Sequence, residues 1–136
     1  MRIAIVSAPA QRSNEPPDYV RSLAKGMESM GHRVDILDVW TEDGYKLPAY
    51  EYIAIAAEPV SFFSGKINDK IPKMLATGSS ISGKKSAAFV KKNGLFCNKA
   101  MSTLMRMMEK EGMVINWFDF LLNPVQAEAL GKRIGA

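Results

Sequence analysis

YIAIAAEPVSFFSGKI, residues 52–67, opens on a run without a charge or a turn-former and then breaks into a polar, proline-bearing loop. A strand with one wet face alternates apolar and polar residues, and YIAIAA does not. Both of its faces must be covered, as in the middle of a parallel sheet with helices packed on either side. That reading makes residues 52–57 the central strand of an α/β domain.

The segments around it follow the same rule. Towards the N-terminus, residues 2–7 and 33–39 are strand-forming runs. Between them Val20, Leu23, Ala24, Met27 and Met30 recur at spacings of three and four, which predicts a helix over 17–30 ended by Gly31. Residues 41–50, with Gly44 and Pro48, read as a surface loop. Towards the C-terminus a helix is predicted over 68–76, with Pro72 in its first turn, where a missing N–H costs little. Residues 85–90 form a strand, followed by the loop KKNGLF. A helix over 98–111 places Met101, Leu104, Met105 and Met108 on one face, a core pattern rather than a special methionine surface. A fifth strand covers 114–122, and Asn123-Pro124 supplies the cap and first position of a last helix ending near Gly131 or Ile134.

Strands that alternate with helices imply parallel pairing through right-handed crossovers, hence a three-layer α/β/α sandwich. Ligands in such sheets bind beyond the carboxyl ends of the strands, where the strand order reverses. The loops that matter are therefore those after the first, third and fourth strands.

Bulk properties narrow the function. The 136 residues, 47% of them hydrophobic, suit one domain with one substantial core, read as residues 1–136. Charged residues make up 24% of the chain and its apolar runs are of strand length, so no membrane span is expected and a cytoplasmic location is. A single cysteine and a single histidine leave no disulfide framework and no zinc ligand set; Cys97 reads as a buried helix residue and His32 as a surface residue. The net charge is +4, with Lys84, Lys85, Lys91, Lys92, Lys99, Arg106 and Lys110 facing only Glu109 and Glu111 in the same stretch. Without interleaved aromatics or a recognisable module, this basic run does not argue for nucleic acid.

Neither of two common phosphate-binding motifs is present in its working form. Residues 78–84, GSSISGK, fit GxxxxGK, but Lys85 stands where Ser or Thr is needed, and the segment follows a helix and opens a strand, the reverse of a P-loop. No GxGxxG follows the first strand. The acidic cluster of a receiver domain is also missing, since Ser7 and Glu58 stand at the ends of the first and third strands.

Three segments together resemble the flavodoxin-like superfamily of flavodoxins and related FMN reductases: SAPAQRSN (7–14), YEYIAIAAEPVSFFSGKINDKIPKML (50–75) and GKKSAAFVKKNGLFCNKAM (83–101). The resemblance covers nearly the whole chain and implies a five-stranded parallel sheet of order 2-1-3-4-5. It implies FMN as cofactor, with the first loop holding the phosphate and the third and fourth flanking the isoalloxazine ring. Transferred to this chain, Ser7, Gln11, Arg12, Ser13 and Asn14 would line the phosphate end, in a loop closer to the reductases' S-P-R-x-x-S-N-T than to the flavodoxins' T-G-N-T. Pro59, Val60, Ser61, Phe62 and Phe63 would approach the ring, and Lys91, Asn93 and Gly94 its pyrimidine side. Glu15, Pro16 and Pro17 depart from the family pattern by replacing a hydroxyl residue and backbone donors. Read without the resemblance, Phe62 and Phe63 are core residues and Asn93-Gly94 is a turn with exposed lysines.

Three functions follow as expectations. The first is an FMN-binding electron-transfer protein working with a redox partner protein or a small-molecule electron acceptor. The second is a flavodoxin-like domain that has lost flavin and acts as a binding module. The third is an NAD(P)H-dependent flavin or quinone reductase, which would be a homodimer.

Overall fold

The computed structural model describes residues 1–61, 64–78 and 80–134. Five strands, β1 (Arg2–Ala8), β2 (Arg33–Asp38), β3 (Tyr52–Ala57), β4 (Lys85–Lys91) and β5 (Val114–Leu121), form one parallel sheet in the order β2-β1-β3-β4-β5. Among the described residues four α-helices alternate with them: α1 (Asp18–Ser29), α2 (Lys70–Thr77), α3 (Cys97–Lys110) and α4 (Pro124–Gly131). The three-layer architecture and strand order expected from the sequence are present. Every residue of β3 is buried, as its unbroken apolar run requires.

The period-2 alternation of Cβ directions divides the core between two faces. Ala4, Val6, Ile53, Ile55, Ala88 and Val90 meet Ile71 and Leu75 of α2 and Leu104 and Met108 of α3. Ile3, Ile5, Ala54 and Phe89 meet Leu23 and Met27 of α1 and Ala127 and Leu130 of α4. The methionine face of α3 is core: Met101 and Met108 are buried and Met105 packs partly buried beside them.

Helix α4 lies directly against α1. A Cβ added at Gly26 would fall onto the carbonyl of Glu128, and one at Gly131 onto the carbonyl of Leu23. The two backbones approach so closely that only glycine fits at either position.

Residues 41–50 differ from the expected surface loop. They contain a 3₁₀ helix, Gly44–Ala49, whose Leu47 is fully buried, and Tyr50 after it is also buried. Distant partners fix this turn: the Thr77 hydroxyl accepts the Gly44 N–H at 2.8 Å, and Lys84 Nζ donates to the carbonyls of Pro48 and Tyr50 at 3.0 and 2.7 Å. Lys84, the lysine of the GSSISGK match, is thereby committed to the protein's own backbone. The basic run as a whole does not gather into one patch, because Lys84 and Lys85 lie at the amino end of β4 and Lys91 and Lys92 at its carboxyl end, about 20 Å away at ~3.3 Å per residue. His32 is half-buried just before β2, its Nδ1 3.1 Å from the amino nitrogen of Met1.

The β4–β5 register shifts between Ser86 and Ala87, leaving Asn116 as an extra residue between Ile115 and Trp117. Asn116 accepts the hydroxyl of Tyr52. No helix among the described residues is long and apolar enough to cross a membrane, and none of their His, Cys, Asp and Glu side chains cluster in threes that could hold a metal ion.

Candidate functional site

The sheet order reverses between β1 and β3, and a cleft opens there beyond the carboxyl ends of the strands. It has a volume of about 220 Å³ and is lined by Ala10, Glu58, Pro59, Val60, Ser61 and Asn93, so the β1, β3 and β4 loops each contribute. A second cleft of about 460 Å³ shares Ala10 and Val60 with it and extends past Trp40, Ile67, Pro72 and Met107.

Long-range hydrogen bonds hold the β1 loop in place. The Pro9 carbonyl accepts from Trp40 Nε1 at 3.2 Å and from Asn68 Nδ2 at 3.4 Å. Asn68, buried, also accepts the Lys70 N–H at 2.9 Å, tying the start of α2 to the same point. Lys70 Nζ lies 5.5 Å from the Trp40 ring centroid, within reach of a cation–π contact. The β3 loop closes on itself through Val60 N–H to the Lys66 carbonyl at 3.0 Å, and Gly65 lies against Lys99 of α3 so tightly that a Cβ would meet that side chain.

Glu58 occupies the centre of the arrangement. Its backbone N–H continues the β1–β3 pairing to the Ala8 carbonyl at 3.0 Å. Its carboxylate reaches into the β1 loop, where Oε1 accepts the Ala10 N–H at 3.3 Å and Oε2 accepts the Tyr19 hydroxyl at 3.0 Å. Burial, and next the neighbouring Glu58 carboxylate, push the Tyr19 phenol far above its ordinary range, so it stays protonated and remains a donor. Lys91 Nζ stands 5.6 Å from the Tyr19 ring centroid and donates to the Leu122 carbonyl at 3.3 Å.

Part of the group expected around the ring comes together, while Lys91 and Gly94 line neither cleft. Pro59, Val60, Ser61 and Asn93 line the cleft, while Phe62 and Phe63 lie outside the described residues. Gly94 adopts φ +75°, which glycine accepts without strain. The buried Cys97 places its thiol 3.1 Å from the Asn93 carbonyl, so its role is to hold that turn.

The residues expected at the phosphate end do not form a comparable group. Ser7 is 1% exposed and its Oγ, without a hydrogen-bond partner, lines neither cleft. Gln11, Arg12, Ser13 and Asn14 are exposed; Ser13 Oγ accepts the Glu15 N–H at 3.4 Å, and Glu15 pairs with Arg21 at 3.3 Å. Helix α1 starts after Pro17 with no side-chain cap and with Asp18 in its first turn.

These features test the flavin that the fold suggests. A flat apolar ring fits against Ala10, Pro59 and Val60. A phosphate dianion does not fit the other end. There Glu58 already takes a loop N–H, Glu15 and Asp18 add negative charge, Pro16 and Pro17 supply no donor, and Arg12 is the loop's one cation.

Sequence reasoning missed Glu58, Tyr19, Trp40 and Asn68 as organisers of the site. For Glu58 a signal existed, namely a charge placed immediately after an entirely apolar central strand. For the other three none did, because their partners lie far away in sequence.

No protein-family model matches the chain, and no curated protein matches it. Solved structures do. An archaeal flavodoxin is similar with a TM-score of 0.73 at 19% identity, over 98% of this chain and 96% of that one. Oxidised flavodoxin 1 from Bacillus cereus gives 0.71 at 15% identity over 96% and 95%, and a mutant of the flavodoxin from Pseudomonas aeruginosa gives 0.74 at 14% over 98% and 95%. At such identities the likeness speaks to architecture, and with the strand order it establishes that this chain has the flavodoxin-like fold.

Proposed function

We propose that this chain is an electron-transfer protein that seats the isoalloxazine ring of a flavin in the cleft at the β1/β3 switch. The observation that carries the reading is the cleft itself, where Ala10, Pro59 and Val60 offer an apolar seat and Asn93 offers an amide to a ring edge. A bound flavin would supply the redox chemistry. The chain's residues would bind and orient the ring and exclude water from the face against Pro59. At the carboxyl edge of the sheet Val60, Leu95, Phe96, Leu122 and Val125 are exposed apolar residues suited to contact with a redox partner protein, and Lys91 and Lys92 favour a partner of acidic surface.

The carboxylates at the phosphate end favour a second reading, a module of this fold that holds no flavin. Titration of ligand-free protein with FMN and with riboflavin, followed by flavin fluorescence and visible absorption, separates the two. Saturable binding of either at one per chain is the expected result, weakened when Val60 is replaced by Asp. No change with either ligand rejects the flavin reading and leaves the binding module.

A further inference from the structure

Resting on the flavin reading above, we propose that the cleft selects a flavin whose side chain carries no phosphate, a riboflavin-type ligand, and that Glu58 is the residue that decides this. The loop after the first strand of an α/β sheet, together with the helix N-terminus that follows, offers backbone N–H groups and a positive dipole end to an anion. In this chain an internal anion already takes a donor of that loop. Glu58 extends from the end of β3 across the switch and takes the Ala10 N–H on one carboxylate oxygen and the Tyr19 hydroxyl on the other.

The remaining features of the loop reinforce the replacement. Asp18 sits in the first turn of α1, where an acidic side chain complements the dipole that a bound phosphate would otherwise use. Glu15 engages Arg21, the cation of the first helical turn. Pro16 and Pro17 withdraw two N–H groups at the helix entrance.

A carboxylate accepts hydrogen bonds and donates none. Glu58 lines the cleft, so its unused lone pairs suit a ligand hydroxyl, and O–H···O⁻ bonds of this kind are among the stronger ones available. A phosphate brings a charge of about −1.5 to −2 and only acceptor oxygens to the same place, so it meets repulsion with no donor in return. The polyol chain of riboflavin satisfies Glu58, whereas the phosphate end of FMN opposes it.

The test is a parallel titration of the 136-residue chain and its Glu58→Gln and Glu58→Ser variants with riboflavin and with FMN. The wild type is expected to bind riboflavin at least about tenfold more tightly than FMN, with the discrimination falling to within about threefold in both variants. Riboflavin binding by the variants checks that the ring seat has survived the substitution. FMN binding to the wild type as tightly as riboflavin, or a preference unchanged in both variants, overturns this inference and leaves the flavin reading intact. Failure of both flavins to bind any of the three proteins overturns the flavin reading, and this inference with it.

Discussion

Helix α1 is constrained in opposite ways at its flank and at its entrance. Along its flank Gly26 meets α4 backbone to backbone, and Leu23 and Met27 are fully buried. At its entrance residues 11–15 are exposed and the helix starts without a side-chain cap. Shape decides which residue can stand in the flank, because close-packed backbone cannot yield to an extra atom. Charge decides at the entrance, because solvent tolerates any shape there, while each carboxylate changes which ligand can approach.

This contrast can be tested by substitution. The largest effect is expected from Leu23→Ala, which leaves a cavity between α1 and the sheet and should cost about 2–5 kcal/mol in urea denaturation. Gly26→Ala should follow at about 1–3 kcal/mol: the helix-propensity gain of up to ~1 kcal/mol is outweighed by a Cβ placed on the Glu128 carbonyl. If Gly26→Ala stabilised the protein instead, the close α1–α4 approach would be wrong.

A third test uses pH at the opposite, amino-terminal edge of the sheet. Burial, and then the hydrogen bond to Asp35, push Tyr50 up to about 12, and burial pushes Tyr52 up to about 12. Both phenols hold their proton in the folded protein at pH values where the unfolded chain has lost it. Their contribution to stability is therefore complete below about pH 10 and is lost as pH rises towards 12. Denaturation midpoints should fall over that window, and Tyr50→Phe should reduce the fall. The smallest effect is expected at the helix entrance, where Glu15→Ala removes an exposed ion pair and should change stability by less than about 1 kcal/mol. A larger loss would show that the entrance is structurally constrained after all.

Much of the fold was legible in the chain. YIAIAA is β3 with the expected bounds, Pro72 lies in the first turn of α2, and Asn123 caps α4 by accepting the Gln126 N–H at 2.9 Å. Gly44 and Pro48 gave residues 41–50 the composition of a loop, yet Leu47 is core. Its burial comes from Thr77 and Lys84, which hold the turn against the protein and are distant in sequence. At the site, the resemblance to flavodoxin-like proteins implied Pro59, Val60, Ser61 and Asn93, and all four line the cleft, whereas Ser7, implied in the same way, is enclosed by the sheet and its helices.

Local pattern alone was enough for the strands, the helices and their α/β alternation, because side-chain period, caps and turn-formers act between residues a few positions apart. The role of Glu58 needed the folded chain. Its carboxylate accepts an N–H from 48 residues away, and only the pairing of β1 with β3 brings that donor within reach. The same physics separates the two cases: a helix or strand is written in near neighbours, while the charge inside a cleft depends on which distant loops the sheet order places side by side.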